Sequence, residues 1–186
     1  MTDIDAEEMR LPIAALLRQG LLPNMVDMTP NPNGFRPRQN TGADMNIKIG
    51  SGVTQRDGYV LRGNSAGQGA YIARLDAVTR TVAVPATDPT NPARYGVFLV
   101  VDDAAYAGDA SRQYVDLVCI RGTPAGSPTT PAALATWSAY ALLWEFQLAA
   151  LAAAVTDVIL DSATSFDRRV TADLLPQNFL ESQVFS

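Results

Sequence analysis

The chain contains no histidine. That removes the commonest general base and the commonest transition-metal ligand together, so a Ser-His-Asp or Cys-His pair and an imidazole metal centre are excluded. Cysteine is nearly as scarce. The single thiol, Cys119, lies in the apolar run VDLVCI, which excludes a disulfide within the chain. With no basic neighbour in sequence to lower its pKa, it is expected to be a small buried hydrophobe. Lysine is reduced to Lys48 against thirteen arginines. Coding bias explains that skew most simply, although arginine also suits planar contacts at subunit interfaces. No apolar stretch reaches the length of a membrane span without polar interruption, so membrane insertion is not expected. The net charge is −5 and no basic cluster exceeds two residues, so the phosphate-neutralising surface that nucleic acid demands is missing too. The opening MTDIDAEEMR is acidic where a signal peptide would be basic, which points to synthesis and assembly in a cytoplasm.

What remains suits one ordinary domain with extensions, given 186 residues of average apolar content. Residues 1–44 read as an N-terminal helix and arm. Pro12 suits a first turn, Ile13, Leu16 and Leu17 share a face, and Gly20 supplies a stop, predicting a short helix from about Leu11 to Gln19. Residues 23–44 hold four prolines, four asparagines and two glycines without a period, which predicts an extended arm outside the core. From Met45 the pattern changes to short alternating segments. MNIKIG and VTQRDGYVLRG read as strands with a tight turn at Asp57-Gly58, and AYIARL with TRTVAVPA reads as a second hairpin. RYGVFLVVDD is apolar on both faces and predicts a central strand, with QYVDLVCIRG as its antiparallel neighbour. GTPAGSPTTPA has three prolines and predicts an extended crossing between sheet edges. The stretch Ala139–Ala154 is open between helix and strand: its alanines and leucines favour a helix by propensity. Residues 171–186 leave the strand pattern and carry Phe179, Leu180, Val184 and Phe185, a C-terminal docking tail that packs on its own domain or on another subunit.

Three chemical constellations merit testing. Acidic pairs occur at Glu7-Glu8 and Asp102-Asp103, but adjacent residues of a strand point to opposite faces, so Asp102-Asp103 is read as a solvated strand end. GNSAGQGA lacks the Gly-Lys-Ser/Thr ending of a phosphate loop and reads as a hairpin loop. Asp102, Asp103 and Asp109 offer hard oxygen ligands around one loop, in a spacing that matches no calcium loop. Catalytic residues, cofactor sites and metal sites are accordingly predicted to be none, and the chain is not expected to be an enzyme.

The order of segments carries one resemblance. NPARYGVFLVVDD, then CIRGTPAGSP, then FDRRV, preceded by MNIKIGSGVTQRDGYVLRG, resembles a β module of minor tail and upper baseplate structural proteins of tailed bacteriophages, of the actinobacteriophage kind. The resemblance covers about Met45 to Val170, roughly two thirds of the chain. It departs at Ala93-Arg94-Tyr95, where the family more often has an Arg-Ile-Asp turn. It implies a strand over about Ala141 to Leu151 and an Asp-Arg closure at Asp167, Arg168 and Arg169. It also implies a mainly β, antiparallel sandwich or barrel-like domain over residues 45–170.

The function implied is that of a virion structural protein. The chain is expected to be a homo-oligomeric (trimer favoured) baseplate or tail-tip adaptor, contacting other tail or baseplate proteins and a fibre or receptor-binding protein. Two alternatives stay open. One is a capsid decoration or head-fibre protein; the other is a host-glycan-binding module with Tyr71, Tyr95, Tyr106 and Trp137 as stacking platforms.

Overall fold

The computed structural model describes residues 35–50, 58–63, 70–74, 79–103 and 113–169. The expected helix at 11–19 and the tail at 171–186 lie outside them, as do Leu75, Tyr106 and Asp109. The described residues are mainly β with almost no helix. Nine strands follow in order: β1 (Pro37–Gln39), β2 (Asn46–Ile49), β3 (Gly58–Arg62), β4 (Ala70–Arg74), β5 (Arg80–Ala83), β6 (Ala93–Asp103), β7 (Gln113–Arg121), β8 (Ala139–Leu148) and β9 (Phe166–Asp167). One helical turn, α1 (Asp157–Leu160), precedes β9.

All strand pairs are antiparallel. One sheet runs β1-β2-β5 and a second runs β7-β6-β8-β9; β3 and β4 form a separate ladder, joined to β8 by a bridge between Gly63 and Ala139. The expected β4–β5 hairpin does not form. Instead β4 pairs with β3, matching Tyr59 with Ala73 and Leu61 with Tyr71, and β5 pairs with β2, matching Ile47 with Val82. Alternation fixes which face of a strand is buried but not which strand lies beside it. Gly58 opens β3 opposite Arg74, while Asp57 lies outside the described residues.

β6 is the central strand that its two-sided apolar pattern predicts. Tyr95, Val97, Leu99 and Val101 enter the main core, and Phe98 and Val100 enter a smaller cluster on the other face. The first set meets Ile47, Ile49 and Val82 of the three-stranded sheet, and Tyr59, Leu61 and Tyr71 of the β3–β4 ladder. The proline-rich segment after β7 closes the second face, where Pro131, Ala133 and Trp137 lie over Phe98, Leu142 and Ile120. It is irregular throughout, as three prolines require.

β8 resolves the open question over Ala139–Ala154 in favour of a strand that stops at Leu148. Leu143, Phe146 and Leu148 are fully buried there, so partner strands override helical propensity. A bulge between Val97 and Phe98 admits the extra residue Leu143 on β8. Beyond it the chain turns at Leu151, whose φ of 56° lies in the left-handed region.

Two expectations at the margins need correction. Residues 35–44, read as part of an arm outside the core, contribute β1 and the fully buried Phe35. Phe35 packs edge-on against Tyr59, which a proline count cannot reveal. The helical turn α1 was not anticipated. Thr156 caps it by accepting a hydrogen bond from the Ile159 amide, and its buried Leu160 docks it on the core.

Candidate functional site: an ion-paired closure and an open sheet edge

The closing strand is the most elaborated polar feature. Phe166 pairs with Glu145 and Asp167 with Trp144, so successive residues of β9 alternate between the faces of β8. On one face, buried Glu145 lies 3.2 Å from Arg168 and 3.7 Å from Arg94, and both guanidiniums stack on the Phe166 ring at about 5 Å. On the other, Arg169 is buried over Trp144 and makes a two-pronged contact with Asp167 at 2.9 and 2.5 Å. The Arg168 amide also donates to the Leu143 carbonyl, continuing the ladder. The Asp-Arg-Arg end therefore closes the sheet through a charge-assisted bond from Arg168 to Glu145 on one face and through Arg169, held by Asp167, over the Trp144 ring on the other. Glu145 and Arg94 as its partners were not legible in sequence, since Glu145 sits in the stretch whose conformation was open.

A second polar tie joins β1 to α1. Arg36 pairs with Asp161 at 2.8 Å, and the Gln39 amide donates to Asp157 at 2.7 Å, which fastens β1 to α1. Arg36, Pro37, Arg38, Asp157 and Asp161 line an open cleft of about 250 Å³. Its charges are balanced and its carboxylates are already engaged by the protein.

The chemical candidates fare as follows. Asp102 is only 1 % exposed, against the expected solvated strand end. The chain returning through Trp137 and Ser138 covers it: the Ser138 amide donates to the Val101 carbonyl, and the Ser138 hydroxyl accepts from the Asp103 amide. Asp103 accepts a hydrogen bond from the Tyr71 hydroxyl at 3.0 Å, tying the β3–β4 ladder to β6. Cys119 is buried, and desolvation pushes its thiol up to about 12. Among the described residues no group of three or more Cys, Asp or Glu side chains is placed to hold a metal ion. No helix among them is long and apolar enough to cross a membrane.

Three of the four aromatic residues considered as sugar platforms are buried. Tyr95 stacks inside the core on Phe146, Tyr71 faces the core, and Trp137 packs against Phe98; Tyr106 lies outside the described residues. A ring face already covered by protein cannot receive a sugar. Among the described residues the exposed aromatics are instead Tyr140 and Phe166, at 40 % and 37 %. Sequence reasoning missed both: Tyr140 alternates with buried Ala139 and Ala141 on β8, and Phe166 lies on the short, exposed β9.

The remaining feature is the outer edge of β7. Among the described residues β7 is hydrogen-bonded to β6 alone, while β5 of the three-stranded sheet packs against it and Arg80 pairs with Asp116 at 2.7 Å. The Gly122 amide donates to the Arg94 carbonyl at 2.7 Å, which fixes the parity of the ladder: residues 114, 116, 118 and 120 turn their main-chain groups to β6, and Val115, Leu117, Cys119 and Arg121 turn theirs outward. On that side the Leu117 amide donates to the carboxylate of its own neighbour Asp116 at 2.8 Å, and the Arg121 side chain donates to the Ala86 carbonyl at 2.6 Å. Beside the edge, Val118 and Ile120 are only partly buried and Val115 is 37 % exposed.

No family profile, no curated protein and no solved structure matches this chain.

Proposed function

We propose that this chain is a structural component of a tailed-phage virion, a homo-oligomeric baseplate or tail-tip adaptor linking the tail to a fibre or receptor-binding component. The observation that carries this reading is the unity of the run Asn91–Arg169. Within that run the segments that resemble the phage module form one sheet, β7-β6-β8-β9, with the proline segment folded over one face and Asp167, Arg168 and Arg169 at its closure, while MNIKIGSGVTQRDGYVLRG contributes β2 and β3 to the other two sheets. Segments matched independently by order in sequence thus make one physical unit. Residues of the three-stranded sheet, the β3–β4 ladder and the four-stranded sheet share one core, which supports a sandwich over a barrel.

On this reading the chain is not an enzyme, and it acts by filling a place in a symmetric assembly, with a trimer favoured. A location on the capsid is the alternative. The glycan-binding reading loses support with the burial of Tyr71, Tyr95 and Trp137. A side-chain-resolution map of the particle tests the proposal. Density for β6, β7 and β8 in a ring at the tail tip is the expected result; density on the capsid surface, or none in the particle, overturns it.

A further inference from the structure

We propose that Arg94, Gln147 and Arg168 form a binding site for one carboxylate group, on the face of the four-stranded sheet that also carries the proline segment. Arg94, Gly96 and Phe98 alternate onto that face of β6. Pro131 lies against Gly96 and Phe98 there, while Arg94, one pair further along, keeps its side chain 25 % exposed. Two observations mark the spot. The first is a charge left over: Arg94 and Arg168 share a single oxygen, Oε2 of buried Glu145, at 3.7 and 3.2 Å, so two guanidiniums meet one carboxylate. Asp167 does not make up the difference, because it is taken by Arg169 on the other face.

The second observation is the state of Arg94. Its contact with Glu145 is too long for a hydrogen bond, and its Nε is buried without a hydrogen-bond partner among the described residues. A largely buried guanidinium with no acceptor is costly, and a bound oxyanion offsets that cost. Both guanidiniums rest on the Phe166 ring, 5.1 and 5.2 Å from its centre, which holds them side by side before anything binds. Directly opposite Arg94 in the ladder stands half-buried Gln147, whose side-chain amide adds a neutral donor to the same face. Arg168 is 49 % exposed and leaves the site open to solvent.

The chemistry favours a carboxylate over a doubly charged anion. Attraction to one uncompensated charge grows in proportion to the anion's charge, whereas the cost of stripping its water grows with the square of that charge. A planar carboxylate also matches the guanidinium fork. Such a group reaches the site on a free small acid or on an Asp or Glu side chain of a neighbouring chain. This inference stands apart from the virion reading and does not rest on it.

NMR of the full chain tests it through the side-chain Nε–H signals of Arg94 and Arg168, titrated with sodium acetate and, at equal ionic strength, with sodium chloride and sodium sulfate. Acetate should move both signals to saturation, with a midpoint on the order of millimolar. Chloride should not saturate them, and sulfate should bind several-fold more weakly. Gln147→Ala should weaken acetate by roughly threefold and Arg168→Gln by roughly tenfold. Arg94→Gln should abolish binding; because that change also strips Glu145 of a neighbour, the half-exposed Arg168 provides the variant that keeps the fold. Acetate and chloride acting alike, or saturation that survives Arg168→Gln unchanged, overturns the site. Tighter binding of sulfate overturns the choice of carboxylate. Sedimentation separates the two sources: an oligomer that acetate dissociates identifies a neighbour's acidic side chain, and a monomer that binds acetate identifies a free acid. Neither readout uses the particle, so failure here leaves the tail-tip reading to be judged by its own map.

Discussion

Gly122 sits where the chain leaves β7 and doubles back under the proline segment. A Cβ there would lie 2.6 Å from the Thr129 carbonyl oxygen and 3.3 Å from that of Arg94, both main-chain atoms that cannot swing aside. Gly122→Ala is therefore expected to destabilise the domain by about 1–3 kcal/mol, as overpacking does. Gly126 has nothing within 4 Å of its Cβ position, so Gly126→Ala should change stability by less than about 0.5 kcal/mol in the same denaturant titration. Equal effects would show that the proline segment is not held as described. Two surface carboxylates set a pH dependence. Hydrogen bonds from the Asn46 side chain, then from Asn40 and the Asn46 amide, lower the Asp44 pKa against opposing desolvation; the Asn91 and Thr90 amides lower that of Asp88. A lowered folded pKa contributes stability above the ordinary carboxylate value of 3.8, lost as pH falls through the folded value. Melting temperature should fall with acid in that range, and less steeply in Asp44→Asn with Asp88→Asn; an unchanged slope would remove these groups from the account. The fate of Cys119 was legible because it lies in an apolar strand run that is covered on both faces. That of Asp102 was not, because Ser138, which organises the covering chain, lies thirty-five residues from Asp103.

At the scale of elements, β9 is only two residues long, and a strand so short needs help beyond its ladder. Glu145 supplies it, buried between Arg94 and Arg168. Removing one member of a wholly buried ion pair costs about 3–5 kcal/mol, and the half-exposed Arg168 brings the expectation for Glu145→Ala down to about 2–3 kcal/mol. Urea unfolding measures it, and hydrogen exchange at Arg168 should rise first as β9 detaches. A loss under about 0.5 kcal/mol would mean that β9 is held by main chain alone. Strands from β2 to β7 were readable from alternation and two-sided apolarity. Their partners were not: β2 skips β3 and β4 to pair with β5, and nothing in either strand's own residues specifies that choice. β8 shows the opposite limit, since Ala139–Leu148 favours a helix when read alone and becomes a strand because β6 and the core lie beside it.

For the whole molecule, the run from Asn91 to Arg169 is a scaffold whose polar groups are largely engaged in closing it. Among the described residues the large apolar side chains left exposed for a partner include Leu134, Tyr140, Leu151, Val158 and Phe166. None of these was visible in sequence, where exposed and buried apolar side chains read alike. A protein organised this way is suited to standing among copies of itself and neighbouring chains, which is what a tail-tip adaptor requires. The most direct measurement is a side-chain-resolution map of the intact particle. The account predicts this fold repeated in a ring at the tail tip, its closing strand intact; finding it on the capsid, as a lone copy, or nowhere in the particle would contradict it.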